Sequence, residues 1–354
     1  MLSYLGNYLQ QFFGPARLLT SNVVLIGLFL YFGFFLTYKF LPKFYNRLPH
    51  DRGREFTLTA EAAKGKPTGA GVIFITMYVL SCLIFVPMEW PHLSILCLIW
   101  LTMLTGYLDD RSTNSWGEYL KAFLDLVICV GASVILYFYM KDESGTVYYW
   151  LPFISEKIAV HPAIFFSVAI ILLWASINTT NCTDGVDGLS STLVLIALIT
   201  LGIVFYFILG HKGIADYLLV PWISDGAVWA TMIFGLSGIL MGYLWHNAFP
   251  SSVLMGDAGS RALGFFIGTG VLLTQNPLMI FATSSIIFIN GGMGLLKVAL
   301  LRFFNIKIFA EVRFPLHDHM RKNHVWSPAQ VLVKFMIMQI LITVVLIGMF
   351  FKVR

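Results

Sequence analysis

The stretch Asn178-Thr179-Thr180-Asn181-Cys182-Thr183-Asp184-Gly185-Val186-Asp187-Gly188-Leu189-Ser190 separates two apolar runs, residues 162–177 and 189–209. Each run is long enough, or nearly so, to cross a hydrocarbon core of about 30 Å as a helix. Lipid cannot satisfy freed backbone groups, so the polar, glycine-broken stretch between them is expected as a loop at the membrane boundary. Asp184 and Asp187 supply hard oxygen ligands, and Gly185 and Gly188 let the backbone approach a phosphate closely. What this loop faces decides what the chain does.

The composition places the whole chain in the same solvent. Over 354 residues, 58% are hydrophobic and only 12% charged, with a mean hydropathy of +0.80. That leaves too few polar groups to cover a soluble globule, so the chain reads as one integral membrane domain, residues 1–354. Runs of about 20 apolar residues argue an all-α bundle, and the ten-residue alternating segments of a barrel are missing. The net charge of +5 forms no basic stripe, so no nucleic-acid partner is expected. Cys82, Cys97 and Cys129 lie inside apolar runs and Cys182 in the central loop; without disulfide or zinc spacing they read as small hydrophobes. The first twenty residues lack a basic region and a cleavage site, so an interfacial amphipathic helix is expected before Pro15 rather than a removed signal peptide.

Hydropathy marks about ten spans: residues 21–41, 69–86, 93–108, 120–139, 161–177, 189–209, 227–245, 260–275, 278–303 and 330–350. The connection from Pro42 to Thr68 carries Lys43, Arg47, Arg52, Arg54, Lys64 and Lys66, and that from Phe304 to Ala329 carries Lys307, Arg313, Arg321 and Lys322. The positive-inside rule makes both cytoplasmic, and an even number of spans then leaves both termini outside. On that topology Asp109-Asp110 after the third span, Asp184 and Asp187 after the fifth, Asp257 after the seventh and His317-Asp318-His319 after the ninth all fall on the cytoplasmic side. Their convergence points to one site.

The chemistry follows from the charges. Five carboxylates from three connections cannot crowd together uncompensated, because like charges raise one another's pKa. A divalent cation resolves this, and an aspartate majority with few thiolates favours Mg²⁺ or Mn²⁺ over zinc. A metal between carboxylates and phosphates means phosphoryl transfer, where catalysis is mostly positioning and neutralisation.

Taken singly, each motif has a plainer reading. Asp109-Asp110 can be a helix end, and Asp-Gly-x-Asp-Gly a turn. His317, His319 and His324 sit on a loop without helical ligand spacing, and contacts to phosphate or base compete there with a transition-metal site. Lys121 and Asp125, at i and i+4, make a local ion pair by default. Asn290 and Lys297 inside the ninth apolar run should face a cavity or a partner. Gly291, Gly292 and Gly294 suggest a kink in that span. Gly238-x-x-x-Gly242 and Gly264-x-x-x-Gly268 read as helix packing.

At these residues the chain resembles the polyprenyl-phosphate N-acetylhexosamine-1-phosphate transferases. The likeness runs from about Lys64 through the last span: Gly106-Tyr-Leu-Asp109-Asp110, Asn181-x-x-Asp184-Gly-x-Asp187-Gly, Asn247-Ala-Phe-Pro250 with Met255-Gly-Asp257-x-Gly-Ser260, and Pro315-Leu-His317-Asp318-His319. The Pro-Leu-His start and Trp326-x-Pro328 resemble the muramoyl-pentapeptide branch more than the N-acetylglucosamine branch. The resemblance implies transfer of a sugar phosphate from UDP-MurNAc-pentapeptide to undecaprenyl phosphate, with Mg²⁺, in a bacterial plasma membrane and with the site facing the cytoplasm. It makes Asp257 the Mg²⁺ ligand, Asp109 and Asp110 the paired acids with one as base, and His317 a further catalytic residue. Asn181, Asp184, Gly185 and Asp187 match the nucleoside-side loop, and Asn247, Leu254, His317, Asp318 and His319 match other substrate positions. Lys121 matches a basic residue of the fourth span, and Lys64 one before Lys66-Pro67-Thr68. A homodimer and a pocket open to nucleoside inhibitors are implied as well.

The chain departs from the family pattern in three places. Asp318 replaces a middle histidine, and Leu254 replaces an aromatic expected to stack on uracil. The loop Arg111-Ser-Thr113-Asn114 is short and lacks a lysine where Thr113 stands. Two rivals remain at this level: a UDP-GlcNAc donor, and a cation-coupled transporter, which would carry its acids near the bilayer midplane.

Overall fold

The computed structural model describes residues 2–51, 53, 64–112 and 116–352. Arg52, Arg54, Thr113 and Asn114 lie outside them. The chain opens with α1 (Leu2–Leu9), at the expected N-terminal position, and a 3₁₀ turn from Gly14 to Thr20. There follow α2 (Asn22–Phe40), α3 (Gly71–Phe85), α4 (Trp90–Arg111) and α5 (Glu118–Met140). A two-stranded antiparallel hairpin, β1 (Val147–Tyr149) and β2 (Ile158–Val160), precedes α6 (Pro162–Thr183). The second half holds α7 (Leu189–Ile203), α8 (Lys212–Tyr217), α9 (Gly226–Asn247), α10 (Gly256–Leu273), α11 (Met279–Ile287), α12 (Met293–Phe304), α13 (Leu316–Asn323) and α14 (Pro328–Lys352). A π-helical turn from Val204 to Leu209 continues α7.

Eight of these segments are long and apolar enough to cross a membrane. The remaining two expected spans are α3, 15 residues and apolar, and α10, whose 18 residues are all buried. Helix α10 is shielded by α4, α6, α3 and α7, so its side chains meet protein where its neighbours' outer faces meet lipid. Its small residues permit this: a Cβ at Gly264 would lie 2.4 Å from the Ser176 carbonyl oxygen on α6. The other expected packing pair acts likewise, with a Cβ at Gly238 on α9 falling 2.1 Å from the Leu30 carbonyl oxygen.

The helices alternate in direction, so their ends sort into two layers. At one end Tyr38 of α2 stacks on His246 of α9, and the starts of α3, α5, α7 and α10 meet the ends of α4, α6 and α9 through the contacts given below. At the other, Trp150 after the hairpin donates to the Thr274 carbonyl after α10 at 2.7 Å and packs on Phe351 near the end of α14. Helix α2 begins and α14 ends at this second end.

Two local expectations change and a third is met. The fifth span does not stop at Ile177 but runs to Thr183, because Thr179, Thr180 and Thr183 are buried and Thr183 returns its hydroxyl to the Thr179 carbonyl at 2.8 Å. The central loop shrinks to Asp184–Gly188. The histidine motif is not on a loop: His317 and His319 stand on α13. The ninth span is broken as its glycines suggested, with non-helical φ/ψ at Ser284 and a π-helical segment, Phe288–Gly292, between α11 and α12.

Candidate active site

The first turn of α10 organises the site. Gly256 begins it with φ +67°, and a Cβ there would fall 2.3 Å from Asp110 Oδ2. Only glycine admits that approach, and the space it frees is filled by a carboxylate. Asp110, at the end of α4, accepts from the Asp257 and Ala258 amides, each at 3.1 Å. A carboxylate on the first amides of a helix satisfies orphan donors and meets the positive end of the helix dipole. Asp110 therefore holds Asp257 in place through the backbone.

Asp109, buried beside it, accepts from the Trp116 amide at 2.7 Å and pairs closely with Lys121 Nζ on α5. The same ammonium reaches Asp257 Oδ2 at 3.2 Å. Thus one cation stands between two carboxylates brought from α4 and α10. One turn deeper the pattern repeats with the charges exchanged: Asp125 on α5 pairs with Arg261 on α10, both buried. The Asn178 side chain of α6 adds a 3.4 Å bond to Asp125.

This corrects the local pair expected between Lys121 and Asp125. Both side chains turn to α10 instead, because a partner across a buried interface desolvates with them, whereas an i,i+4 neighbour does not remove the need for one. Arg261 escaped the sequence reading. Its signal was available: an arginine within the eighth apolar run, with Asp125 within the fourth, since intramembrane charges come in pairs.

The donor set fits a hard divalent cation. Mg²⁺ takes one or two carboxylates and completes its shell with water and phosphate oxygens, and Asp109 and Asp257 form such a pair on a single ammonium. Among the described residues no group of three or more His, Cys, Asp or Glu side chains is arranged to hold a metal ion by itself, so water and substrate oxygens would have to complete any shell, and all four cysteines are free.

The turn Asp184–Gly188 sits alongside. Asn181 accepts from Ser260 Oγ at 2.9 Å, tying the end of α6 to α10, and Asp184 follows it half-buried at the end of the helix. Asp187 accepts from the Ser251 amide at 3.0 Å and pairs with Lys66 at 3.6 Å. Asn247 is buried, and its amide is spent inside the protein: Oδ1 accepts from Gly188 N at 3.0 Å and Ser191 Oγ at 3.3 Å, and Nδ2 donates to Val253 O at 2.9 Å. Its geometry is that of a clamp between two loops.

Leu254 is half-buried, with its amide on the Pro67 carbonyl at 2.8 Å and its carbonyl taking the Ala70 amide at 3.1 Å. Thr68, also half-buried, is anchored through its amide to Pro49 O at 2.8 Å, and Lys64 is exposed.

His317 and His319 diverge, being about 200° apart around α13. His317 is buried and its ring lies against the central turn, since a Cβ at Gly185 would come within 2.5 Å of Nε2. Burial pushes its pKa down to about 3, with the Arg321 charge helping, so the ring is neutral at physiological pH. His319 turns the other way, with Nδ1 accepting from the Arg313 amide at 3.2 Å and Asn323 nearby. Asp318 is buried near Arg313 at 3.7 Å; burial raises its pKa, opposed by the Arg313 and Arg321 charges.

Helices threading a bundle, with carboxylates from three separate connections collected at one end of it, define a polytopic membrane protein with a buried acidic site. Residues 92–275 match the family model described as glycosyl transferase family 4. A phospho-N-acetylmuramoyl-pentapeptide-transferase of Treponema pallidum (strain Nichols) is 56% identical over all of this chain and 97% of its own length. One of Aquifex aeolicus (strain VF5) is 30% identical over 89% of this chain and 90% of its own length. One of Campylobacter hominis is 28% identical over 93% and 95%. The chain belongs to glycosyl transferase family 4 and, within it, to the family of these phospho-N-acetylmuramoyl-pentapeptide transferases. The transporter alternative falls with that membership.

Proposed function

We propose that this protein transfers phospho-MurNAc-pentapeptide from UDP-MurNAc-pentapeptide to undecaprenyl phosphate, forming lipid I and releasing UMP at the cytoplasmic face of a bacterial plasma membrane. The observation that carries the reading is the meeting of Asp109 and Asp257 on Lys121, with Asp110 on the Asp257 amide, in a chain matched from end to end by a phospho-N-acetylmuramoyl-pentapeptide-transferase. The basic connections flanking this end of the bundle support its cytoplasmic orientation.

Each side chain then has a task. Asp257 would hold Mg²⁺, whose charge would offset that of the donor phosphates. Lys121 neutralises the carboxylate pair and, when substrate arrives, offers its ammonium to a phosphate oxygen. Asp110 accepts two α10 amides, while Asp109 shares the Lys121 ammonium with Asp257, so Asp109 is the one assigned as the base that orients or deprotonates the attacking lipid phosphate. Asn181, Asp184, Gly185 and Asp187 flank the nucleoside side, with Asn247 fixing the turn that carries them. His317 closes the same pocket. Thr68 and Lys64 on the polar connection before α3, Leu254 on the turn before α10 and Asp318 on α13 are candidate donor contacts, while His319 is turned to the Arg313 amide.

The test is direct. Detergent-purified protein is incubated with radiolabelled UDP-MurNAc-pentapeptide and undecaprenyl phosphate, with and without Mg²⁺, and with UDP-GlcNAc as a parallel donor. Mg²⁺-dependent UMP release and a labelled lipid from the first donor alone are expected. Transfer from UDP-GlcNAc instead, or equal turnover in chelator, overturns the reading.

A further inference from the structure

Asn290 stands in the π-helical break of the ninth span, buried and at first sight unconnected with catalysis. Its Oδ1 lies 2.8 Å from the His317 amide nitrogen and 3.2 Å from His317 Nδ1. A backbone N–H can only donate, so the atom facing it is the amide oxygen, and that orientation of the Asn290 side chain is settled by the bond itself. An amide oxygen has no proton to give. His317 Nδ1 must therefore carry the proton in this bond, and a neutral ring with Nδ1 protonated has a bare Nε2.

Nε2 is the atom that faces Gly185 in the central turn. We infer that Asn290 is a positioning residue that locks His317 as a neutral Nδ1–H tautomer, so that Nε2 acts as a fixed acceptor for an N–H or O–H donor of the bound nucleotide-sugar rather than as a proton donor. Two observations support this. The Asn290 Nδ2 has no hydrogen-bond partner among the described residues, so the side chain tolerates a buried orphan donor while its oxygen serves two donors. The break itself is held by close packing, a Cβ at Gly291 falling 2.5 Å from the Thr179 carbonyl oxygen on α6. Asn290 is thereby set against α6, the helix that leads into Asp184.

The charged groups around the ring are Asp318, whose Oδ1 is 3.7 Å from Nε2, and Arg321 on α13. Arg313 lies behind Asp318, and Asp184 is on the turn opposite. On the ninth span Lys297 is turned away, donating to the Phe309 and Val312 carbonyls at 2.9 and 3.0 Å.

The inference rests on the transferase reading for its kinetic arm only. In ¹⁵N-histidine-labelled protein in micelles, with the His317 resonances identified by their loss in His317→Gln, the Nδ1–H tautomer is expected. In Asn290→Leu that preference should vanish, with kcat/KM for UMP release about tenfold lower at every pH. In Asn290→Asp the new carboxylate stabilises an imidazolium, so activity should fall as pH drops toward 6 and recover above 8, a dependence a merely structural residue would not create. An Nε2–H tautomer in the parent protein, or an Asn290→Asp profile parallel to the parent, overturns the proposal. If the parent shows no turnover with UDP-MurNAc-pentapeptide, the functional reading fails and the tautomer measurement still decides this one.

Discussion

Lys121 and Asp257 are 136 residues apart in sequence and 3.2 Å apart in space, and the same 136-residue separation divides Asp125 from Arg261 one turn deeper. Equal offsets mean that α5 and α10 run parallel and in register from the site inward. The acidic site is therefore the top rung of a ladder whose lower rung is a buried ion pair.

Asp257→Ala should reduce Mg²⁺-dependent UMP release on the order of 10³-fold, with the detergent melting curve retained. Lys121 keeps Asp109 as a partner when the Asp257 carboxylate is lost, and the start of α10 stays tied to Asp110 through the backbone amides. A folded variant with near-parent turnover would remove Asp257 from the site.

Asp109→Ala and Asp110→Ala should separate. Asp110 serves two amides of α10, so its loss should lower both melting temperature and activity, by about 1–3 kcal/mol in stability. Asp109→Ala should cost activity more than stability. Melting and initial-rate measurements on the two variants check the division, and identical behaviour would refute it.

Arg261→Met leaves Asp125 buried without its cation, which should destabilise the fold by about 3–5 kcal/mol. Adding Asp125→Leu should recover most of the loss, since apolar groups of similar volume replace a buried pair at little net cost. Thermal unfolding of the single and double variants measures this coupling directly.

Gly185→Ala places a methyl group 2.5 Å from His317 Nε2. The ring must move, so kcat/KM should fall about tenfold or more while the melting temperature changes little, because α13 packs lightly against the bundle. Restoration by His317→Ala in the same chain would contradict a functional role for the ring.

His317 also sets a pH dependence of stability. Its folded pKa lies near 3 against an ordinary 6.5, so the unfolded chain takes up the proton first as the medium is acidified. The full contribution is present above about pH 6.5 and is lost progressively as pH falls toward 3. His317→Gln should lack this component when melting curves from pH 7 to pH 4 are compared with the parent.

Much was legible beforehand because it is local in the chain. Hydropathy over about 20 residues marks a span, and the ten expected segments correspond to α2–α7, α9, α10, the broken α11–α12 and α14. Alternation of direction then places Asp109, Asp184, Asp257 and His317 at one end without any knowledge of packing. The histidine helix was less legible: eight residues of low apolar content carry no hydropathy signal.

What the amino-acid order determined by itself is the class of solvent, the number of crossings and the end of the bundle that bears the acids, each read from neighbours along the chain. What only the tertiary structure decided is which of those side chains meet: Asp125 with Arg261 rather than Lys121, Asp110 spent on amides while Asp109 faces a cation, and Asn290 turned to His317. Those choices depend on the rotation and register of helices brought together from distant sequence, and hydropathy is blind to both.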